Sequence, residues 1–556
     1  MNNRNNRNNR NNRNNRNNRN NRNDRNNRNN RSNRNNRNNR NNRNNRNNRN
    51  NRNNRNNRNN RNNRNNRNNR NNSNPMKYQT IVIVFLALAG IIVNSCRPRQ
   101  TGIIIDVYAD SVLSDISNHP IGINTDYFMD DDKYLKPERS TVDALRAMGV
   151  KYLRYPGGNK SDFYFFSKPP YEKSEPTLAR TGKEAVGGRQ KMLKNYSEFA
   201  IDVLDFDEFI EICRQVNAEP VICVAADEYL VDYPKGCTWA TREELINHAV
   251  EWVRYANVKK GYGVKYWMIG NESWHEQNKN STAEIYAQDV IDFSKAMKAV
   301  DSSIYIIPNG NDVDFSETVL KIAGSYADMI CISNYPVYNY FAGYNTYRDT
   351  LQDLISTVTN TIKAMKNAGS PPDMKIIVAE YGPFDWGRKW PMTNDMGHTL
   401  CNFEMTGGLL QIPQIEFICY WNTRWIDNDL DKHSVFDALD KRGNFNAIGW
   451  GMMIWGNYMG NEMIKTTSTL HIRTFASLDR GNKLLYVYIV NKKGDSERIN
   501  LQLNRLKVRS VAEAWELVGQ GPDDLYPVWQ EYSEITDPLD LEVKGTSITV
   551  IKFQLK

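Results

Sequence analysis

Between Ile121 and about Gly460, short apolar runs alternate with amphipathic stretches, and no other feature constrains the fold as tightly. Parallel strands cannot be joined by tight hairpins, so strands that alternate with helical stretches imply an α/β fold built on a parallel sheet. Eight runs qualify: Ile121–Phe128, Tyr152–Tyr155, Pro220–Ala226, Tyr266–Ile269, Ile304–Pro308, Met329–Ser333, Lys375–Ala379 and Glu416–Trp421. Their Ile, Val and Cys content suits a sheet buried on both faces. Helices are predicted over Phe206–Val216, Arg242–Ala256, Ala283–Ala299 and Leu351–Met365. In the third, Ile285, Val290, Phe293, Met297 and Val300 are read as the apolar stripe. Eight strand-helix units predict a (β/α)8 TIM barrel over residues 119–460. An open doubly wound sheet is the alternative, but no Gly-x-Gly-x-x-Gly follows the first strand, so its commonest nucleotide-binding signature is missing.

Beyond Gly460 the texture turns to short strands: Leu470–Phe475, Leu484–Val490, Ile499–Leu503, Val511–Glu516 and Ser547–Gln554. With no long helix among them, they predict a smaller β-sandwich over residues 461–556. Residues 103–118, with the early strand Ile103–Tyr108, are assigned to the same sandwich. The other reading of that strand is a plain linker.

Residues 1–75 are a nearly unbroken Asn-Asn-Arg repeat with no apolar residue between Asn2 and Asn74, so they cannot form a core and are expected to be disordered. An RNA-binding tail is one reading. A tandem nucleotide repeat translated upstream of the true start is favoured. From Met76, Lys77 and the 13-residue apolar run Ile81–Val93 lead to Asn94-Ser95-Cys96. Residues 76–96 therefore read as a secretory signal of the lipoprotein type, too short to span a bilayer. The expected location is the periplasm or cell surface, with lipid on Cys96 as the sole membrane attachment.

Charge matters only once the repeat is removed. Its 23 arginines and one aspartate account for the formal +11, and without them 51 basic and 62 acidic residues remain. An acidic folded body argues against nucleic acid and fits a neutral or cationic substrate better. Cys213, Cys223, Cys237, Cys331, Cys401 and Cys419 show no CxxC or His/Cys metal spacing, so no metal or other cofactor is expected. Cys223, Cys331 and Cys419 sit in apolar runs and read as small buried hydrophobes.

Two carboxylates end predicted barrel strands. Trp267-Met268-Ile269-Gly270-Asn271-Glu272 closes the fourth, and Ile376-Ile377-Val378-Ala379-Glu380-Tyr381-Gly382 closes the seventh, 108 residues further on. In a TIM barrel the catalytic groups project from the C-terminal strand ends, and strands four and seven face each other across the mouth. A pair of carboxylates so placed suits glycosidic cleavage. One protonates the poor leaving group; the other captures the oxocarbenium-like sugar as a covalent intermediate. The two need different environments, and Arg154 at the end of the second strand is a candidate cation for the ionised partner.

These residues resemble clan A glycoside hydrolases. Arg154-Tyr155-Pro156-Gly157-Gly158-Asn159 and Lys265 to Trp274 are similar to family 51 α-L-arabinofuranosidases, over roughly Ile103 to Lys556. The resemblance implies a retaining mechanism with Glu272 as general acid/base, Glu380 as nucleophile and Asn271 donating to the sugar 2-hydroxyl. Arg154, Asn159, Asn334, Tyr335 and Trp421 join Asn271 as candidate substrate-binding residues for an oligosaccharide or polysaccharide. Three departures leave the sugar open: Tyr381 stands where the family has Trp, Asn334-Tyr335-Pro336 where it often has His, and the loop Ser161–Lys194 is long and dissimilar.

Blander readings accompany each motif. Arg154 could be a structural ion pair and Gly157-Gly158 a tight turn. Of Trp386, Trp390, Trp421 and Trp425, about two are expected to touch sugar, since Trp is often a core residue. His275 reads as a supporting hydrogen-bond group, and Asp130-Asp131-Asp132 as a solvated loop rather than a calcium site. Rival functions are an endo-acting polysaccharide hydrolase of the agarase or porphyranase kind, and a non-catalytic glycan-binding lipoprotein. A binder would need no acid/nucleophile pair.

Overall fold

Eight parallel strands close on one another in the order of the chain, each hydrogen-bonded to the next and the last to the first. The computed structural model describes residues 102–167, 179–180, 199–200, 204–230, 240–275, 280–339, 343–425, 430–533 and 537–556. The Asn-Asn-Arg repeat, the segment read as an export signal with Cys96, Cys237 and most of the loop after Ser167 lie outside them.

Strand β1 (Ile103–Asp115) precedes the barrel. The barrel strands are β2 (Ile121–Asn124), β3 (Tyr152–Tyr155), β6 (Glu219–Val224), β7 (Tyr266–Ile269), β8 (Tyr305–Gly310), β9 (Met329–Asn334), β10 (Lys375–Tyr381) and β11 (Ile415–Tyr420). A two-stranded pair, β4 (Ala179–Arg180) and β5 (Phe199–Ala200), interrupts the series. Inward side chains fill the barrel in layers. Near the N-terminal ends, Tyr152 stacks on Phe417 at 4.1 Å with Tyr266 edge-on. Val221, Cys223, Met268, Ile307, Cys331, Ile377, Ala379 and Cys419 lie in the same cluster. This is a packed core, so chemistry is left to the C-terminal mouth.

The strands run close to the predicted bounds, and the differences have local causes. The first stops at Asn124 because Asp126 turns the chain, its carboxylate accepting from the Phe128 N–H at 2.8 Å. The helix predicted from Leu351 begins at Ser356, and Leu351 is exposed. The second predicted helix is regular over Arg242–Val253 and continues as a π-turn over Arg254–Lys259. In the helix Ala283–Lys298 the buried stripe is Tyr286, Val290, Phe293 and Met297, whereas Ile285 is 38% exposed. Positions 286, 290, 293 and 297 share one helical face; residue 285 is rotated about 100° from the first of them.

The Asp130–Asp132 segment is not solvated. Asp130 is buried, binds Arg424 Nη1 at 2.9 Å and accepts from the Asp126 N–H at 2.7 Å, and burial raises its pKa to about 6. Asp131 caps the helix Asp132–Leu135 by accepting from the Lys133 N–H. Among the described residues no cluster of three or more His, Cys, Asp or Glu forms a metal site. Cys213, Cys223, Cys331, Cys401 and Cys419 are buried free thiols.

After the barrel come β12 (Glu462–Thr466), β13 (Ile472–Asp479), β14 (Leu484–Asn491), β15 (Glu497–Asn504), β16 (Val508–Val518), β17 (Val528–Glu531), β18 (Asp540–Val543) and β19 (Ser547–Leu555). With β1 they make one nine-stranded sheet curled over its own core, in the order β17-β16-β19-β14-β13-β12-β1-β15-β18. Strand β1 pairs antiparallel with β12 and parallel with β15, so the segment before the barrel is bound into the sheet that follows it. The sheet packs on the barrel helices Met396–Leu410 and Ala447–Asn457. Trp455 lies 4.3 Å from Tyr488, and Arg473 Nε donates to Glu404 at 2.7 Å.

Candidate active site

Alternation along β10 puts Ala379 inside the barrel and would turn Glu380 outward. The ladder with β9 is irregular at this point: Val378 pairs with Ile332, and then Glu380 pairs with Ser333, two residues advancing against one. Such a bulge re-aims a side chain, and here Glu380 also enters the lumen, where it is 5% exposed. The Ala379 carbonyl accepts from Asn124 Nδ2 at 2.8 Å, so the irregular point is held by the end of β2.

Arg154, next to last in β3, meets Glu380 from the opposite side. Its Nη1 donates to Glu380 Oε1 at 2.9 Å and to Asn124 Oδ1 at 2.8 Å, while Nη2 donates to Asn271 Oδ1 at 2.6 Å. A buried ion pair adds little net stability, because desolvation consumes most of its Coulomb gain. What the pair does supply is a fixed orientation, and the other Glu380 oxygen is fixed too, accepting from the Tyr335 hydroxyl at 2.6 Å. Burial, with Glu380 close by, holds the Tyr335 phenol well above its usual pKa, so it remains a donor.

Glu272 lies beyond β7 on a tight bend. Gly270 has φ +70° and Glu272 itself has φ +46°, a left-handed conformation that costs a residue with a side chain about 1–3 kcal/mol. Gly270 is required: a Cβ there would lie 2.8 Å from Ser273 Oγ. Two influences raise the Glu272 pKa, burial and then the Glu380 charge. A hydrogen bond from Ser333 and the Arg154 charge oppose them, and the balance places it at about 8. Two glutamates thus share one mouth in contrasting settings, one holding its proton at neutral pH and the other ion-paired. A small open pocket at Glu272 is lined by Arg154, Asn271, Trp274, Asn309, Cys331 and Ser333, among others.

The remaining sequence candidates divide. Asn271 belongs to the cluster, but its Nδ2 donates to Asn159 Oδ1 at 2.9 Å, and its backbone N–H to Asp162. The Asn334 Nδ2 donates to the Leu354 carbonyl at 3.0 Å, and the next residue, Tyr335, contacts Glu380. Trp421 is 4% exposed, packed edge-on to Trp425 and so close to Gly158 that a Cβ there would lie 2.1 Å from its ring. Trp390 is buried on His398. Trp425 is half-buried beneath the Lys160 ammonium, 3.8 Å from its ring centre. Trp386 is 44% exposed and stands 5.8 Å from Tyr335, which leaves it the most accessible ring beside the carboxylates.

Asn124, Ser333, Asp162 and Asn309 were missed. Three of them, Asn124, Ser333 and Asn309, stand last or next to last in barrel strands as the first polar side chain after an apolar run, a signal the sequence does carry. Asp162 lies in a 3-10 turn, Gly158–Phe163, and has no comparable mark.

Fold and site define a clan A type of (β/α)8 barrel, with one carboxylate after the fourth strand and another on the seventh. More particularly, residues 144–353 match the family model described as the alpha-L-arabinofuranosidase 1 domain, a stretch that contains Glu272 but not Glu380. Alpha-L-arabinofuranosidase C of Emericella nidulans is 30% identical over 192 residues, 31% of this chain and 32% of that protein. An intracellular exo-alpha-(1->5)-L-arabinofuranosidase of Acetivibrio thermocellus is 26% identical over 266 residues, 43% of this chain and 47% of its own. The chain thus spans about a third to a half of the length of these curated relatives. Its fold is that of the Thermotoga maritima alpha-L-arabinofuranosidase in an arabinose complex: TM-score 0.59 and 20% identity, covering 81% of this chain and 99% of that one.

Proposed function

We propose that the chain is a retaining glycoside hydrolase that removes α-L-arabinofuranosyl groups from an oligosaccharide or polysaccharide. The observation that carries this reading is the pair of glutamates in opposed settings: Glu272 protonated by burial and like charge, Glu380 ion-paired to Arg154 and held by Tyr335. The sequence match to arabinofuranosidases around Glu272 supplies the sugar.

In the first half-reaction a Glu380 oxygen attacks the anomeric carbon, the glycosidic C–O bond breaks, and the Glu272 proton passes to the departing oxygen. In the second, Glu272, now ionised, takes a proton from water. The water oxygen bonds to the anomeric carbon, and Glu380 leaves as carboxylate. Glu272 can begin as the acid because burial and the nearby Glu380 charge favour its protonated form. Arg154 and Tyr335 orient the nucleophile before attack and receive its charge back on release. Trp386, exposed beside Tyr335, is a stacking surface for the sugar or its leaving group.

A panel of nitrophenyl glycosides and plant polysaccharides, with the first-formed anomer followed by NMR, tests the reading. Release of α-L-arabinofuranose is expected. Cleavage of pyranosides or galactans alone would overturn the sugar, and a first-formed β anomer would overturn retention.

We propose further that the body is exported and lipid-anchored, from Lys77, the apolar run Ile81–Val93 and Asn94-Ser95-Cys96. Cys96→Ala should release it from the membrane fraction; unchanged fractionation would count against the anchor.

A further inference from the structure

The bend that carries Glu272 is gripped from behind by side chains outside the catalytic set. Asn309, buried on β8, accepts from the Ser273 backbone N–H at 2.9 Å through Oδ1. Its Nδ2 donates to the Ile269 carbonyl at 3.1 Å and to Ser273 Oγ at 3.0 Å. Tyr286, fully buried on the helix Ala283–Lys298, donates from its hydroxyl to the same Ile269 carbonyl at 2.5 Å. That hydroxyl accepts from the Asn309 backbone N–H and from Nδ2, both at 2.8 Å. The residues held, Ile269 and Ser273, are the two ends of the left-handed turn through Gly270 and Glu272. Both polar atoms of the Asn309 side chain are therefore engaged by the bend.

We propose that Asn309, buttressed by Tyr286, is the positioning residue for the proton-donating carboxyl: it holds the Gly270–Ser273 bend in a conformation that a glutamate would otherwise leave. The chemistry of the clamp fits the task. A left-handed residue with a side chain persists only where its surroundings over-determine it. A single carboxamide that accepts from one end of the turn and donates to the other fixes the distance between those ends. Without it the bend relaxes toward ordinary backbone angles, and the Glu272 carboxyl moves away from Ser333 and Glu380 toward water. The residue bears first on Glu272, since Glu380 has its own holders in Arg154, Asn124 and Tyr335, of which only Arg154 also touches the bend, through Asn271.

The inference rests on the reading of Glu272 as general acid, and the test separates the two. Asn309→Ala and Tyr286→Phe are compared with the wild type in two measurements. The first is the carboxyl titration of Glu272, followed by ¹³C NMR of glutamate-labelled protein and assigned by its absence in Glu272→Gln. The second is kcat/KM on a dinitrophenyl and on an alkyl α-L-arabinofuranoside. Four charged groups adjoin the bend: Glu380 and Arg154 on the lumen side, Asp162, which accepts from the Asn271 backbone N–H at 3.2 Å, and Asp227, which hydrogen-bonds Ser273. None is altered in these variants. Asn309→Ala should lower the Glu272 titration by about one pH unit or more. It should reduce kcat/KM about 10- to 100-fold on the alkyl glycoside, which needs protonation, and by no more than about threefold on the dinitrophenyl one. Tyr286→Phe should move both readouts the same way by less, and it decides the matter should Asn309→Ala fail to fold. An unshifted Glu272 titration, or equal losses on both leaving groups, overturns the clamp. A wild type inert toward every arabinofuranoside instead retires the proposed substrate, and the titration alone then decides the clamp.

Discussion

Arg154 and Glu380 meet at 2.9 Å with both side chains almost wholly buried, joining the second strand of the barrel to the seventh across its lumen. The contact requires two local conditions. Arg154 must face inward near the end of β3, and the bulge on β10 must turn Glu380 inward although Ala379 already faces that way. Asn124 meets both, accepting from Arg154 and donating to the Ala379 carbonyl.

Arg154→Lys should be far from conservative. A lysine ammonium cannot donate to Glu380, Asn124 and Asn271 in one plane, so the nucleophile loses its fixed orientation. Activity should fall about 100-fold or more at unchanged fold, read by kcat and circular dichroism. Arg154→Ala should also destabilise the chain, by about 3–5 kcal/mol in urea unfolding, because it strands a buried carboxylate. Near-wild-type activity for the lysine variant would reduce Arg154 to a structural ion pair.

The two glutamates act in different half-reactions and can be told apart. Glu380→Ala should lose nearly all activity on every substrate. Glu272→Ala should still react with a dinitrophenyl glycoside and accumulate the covalent intermediate, whose hydrolysis wants a base. Added azide should restore its turnover with a glycosyl azide of retained configuration, whereas azide with Glu380→Ala should give the inverted product. Swapped stereochemistry would exchange the roles and leave the fold untouched.

Glu272 sets the alkaline limb of the pH profile. With its pKa raised to about 8, first by burial and then by Glu380, kcat/KM should hold through neutrality and fall as pH rises past that value. The same shift is linked to stability. The folded chain binds this proton more tightly than the unfolded one, where the group titrates near 4.5, so its contribution is complete below that pH and is lost as pH rises through about 8. Glu272→Gln, which cannot ionise, should therefore gain in melting temperature relative to wild type between those limits. A constant difference across the range would count against the shifted carboxyl.

Truncation after Gly460 should yield insoluble barrel. The cut removes Arg473 and Lys492 from Glu404, and it uncovers Trp455 and the face of Gly407 on which the Phe475 ring lies. An unpaired buried carboxylate and a bared aromatic surface both favour aggregation. A soluble, fully active truncation would show that the sheet is dispensable.

Much of this was legible in the chain because barrels repeat. Short Ile- and Val-rich runs can be buried on both faces only in a covered parallel sheet, so the eight strands were identifiable, and Glu272 and Glu380 were marked by standing at strand ends. Less accessible were features set by contacts distant in sequence. Ile285 looked like part of a stripe until the face with Tyr286 proved to be the packed one. Asn334 looked like a sugar contact, yet the Leu354 carbonyl claims its amide. Asp130 looked solvated, but Arg424, 294 residues away, buries it.

The sequence by itself determined the alternation of elements, the two carboxylates and the Gly270 that permits a bend before Glu272, because propensity, apolar period and glycine freedom act over a few residues. Tertiary structure alone decided which way those carboxylates point and which of them keeps its proton. A strand's period of two would have sent Glu380 outward, and only the mismatch in advance between β10 and its neighbours turns it in. An isolated glutamate titrates near 4.5. Closure of the barrel removes water from Glu272 and brings a second charge beside it, and that raises the same group to about 8.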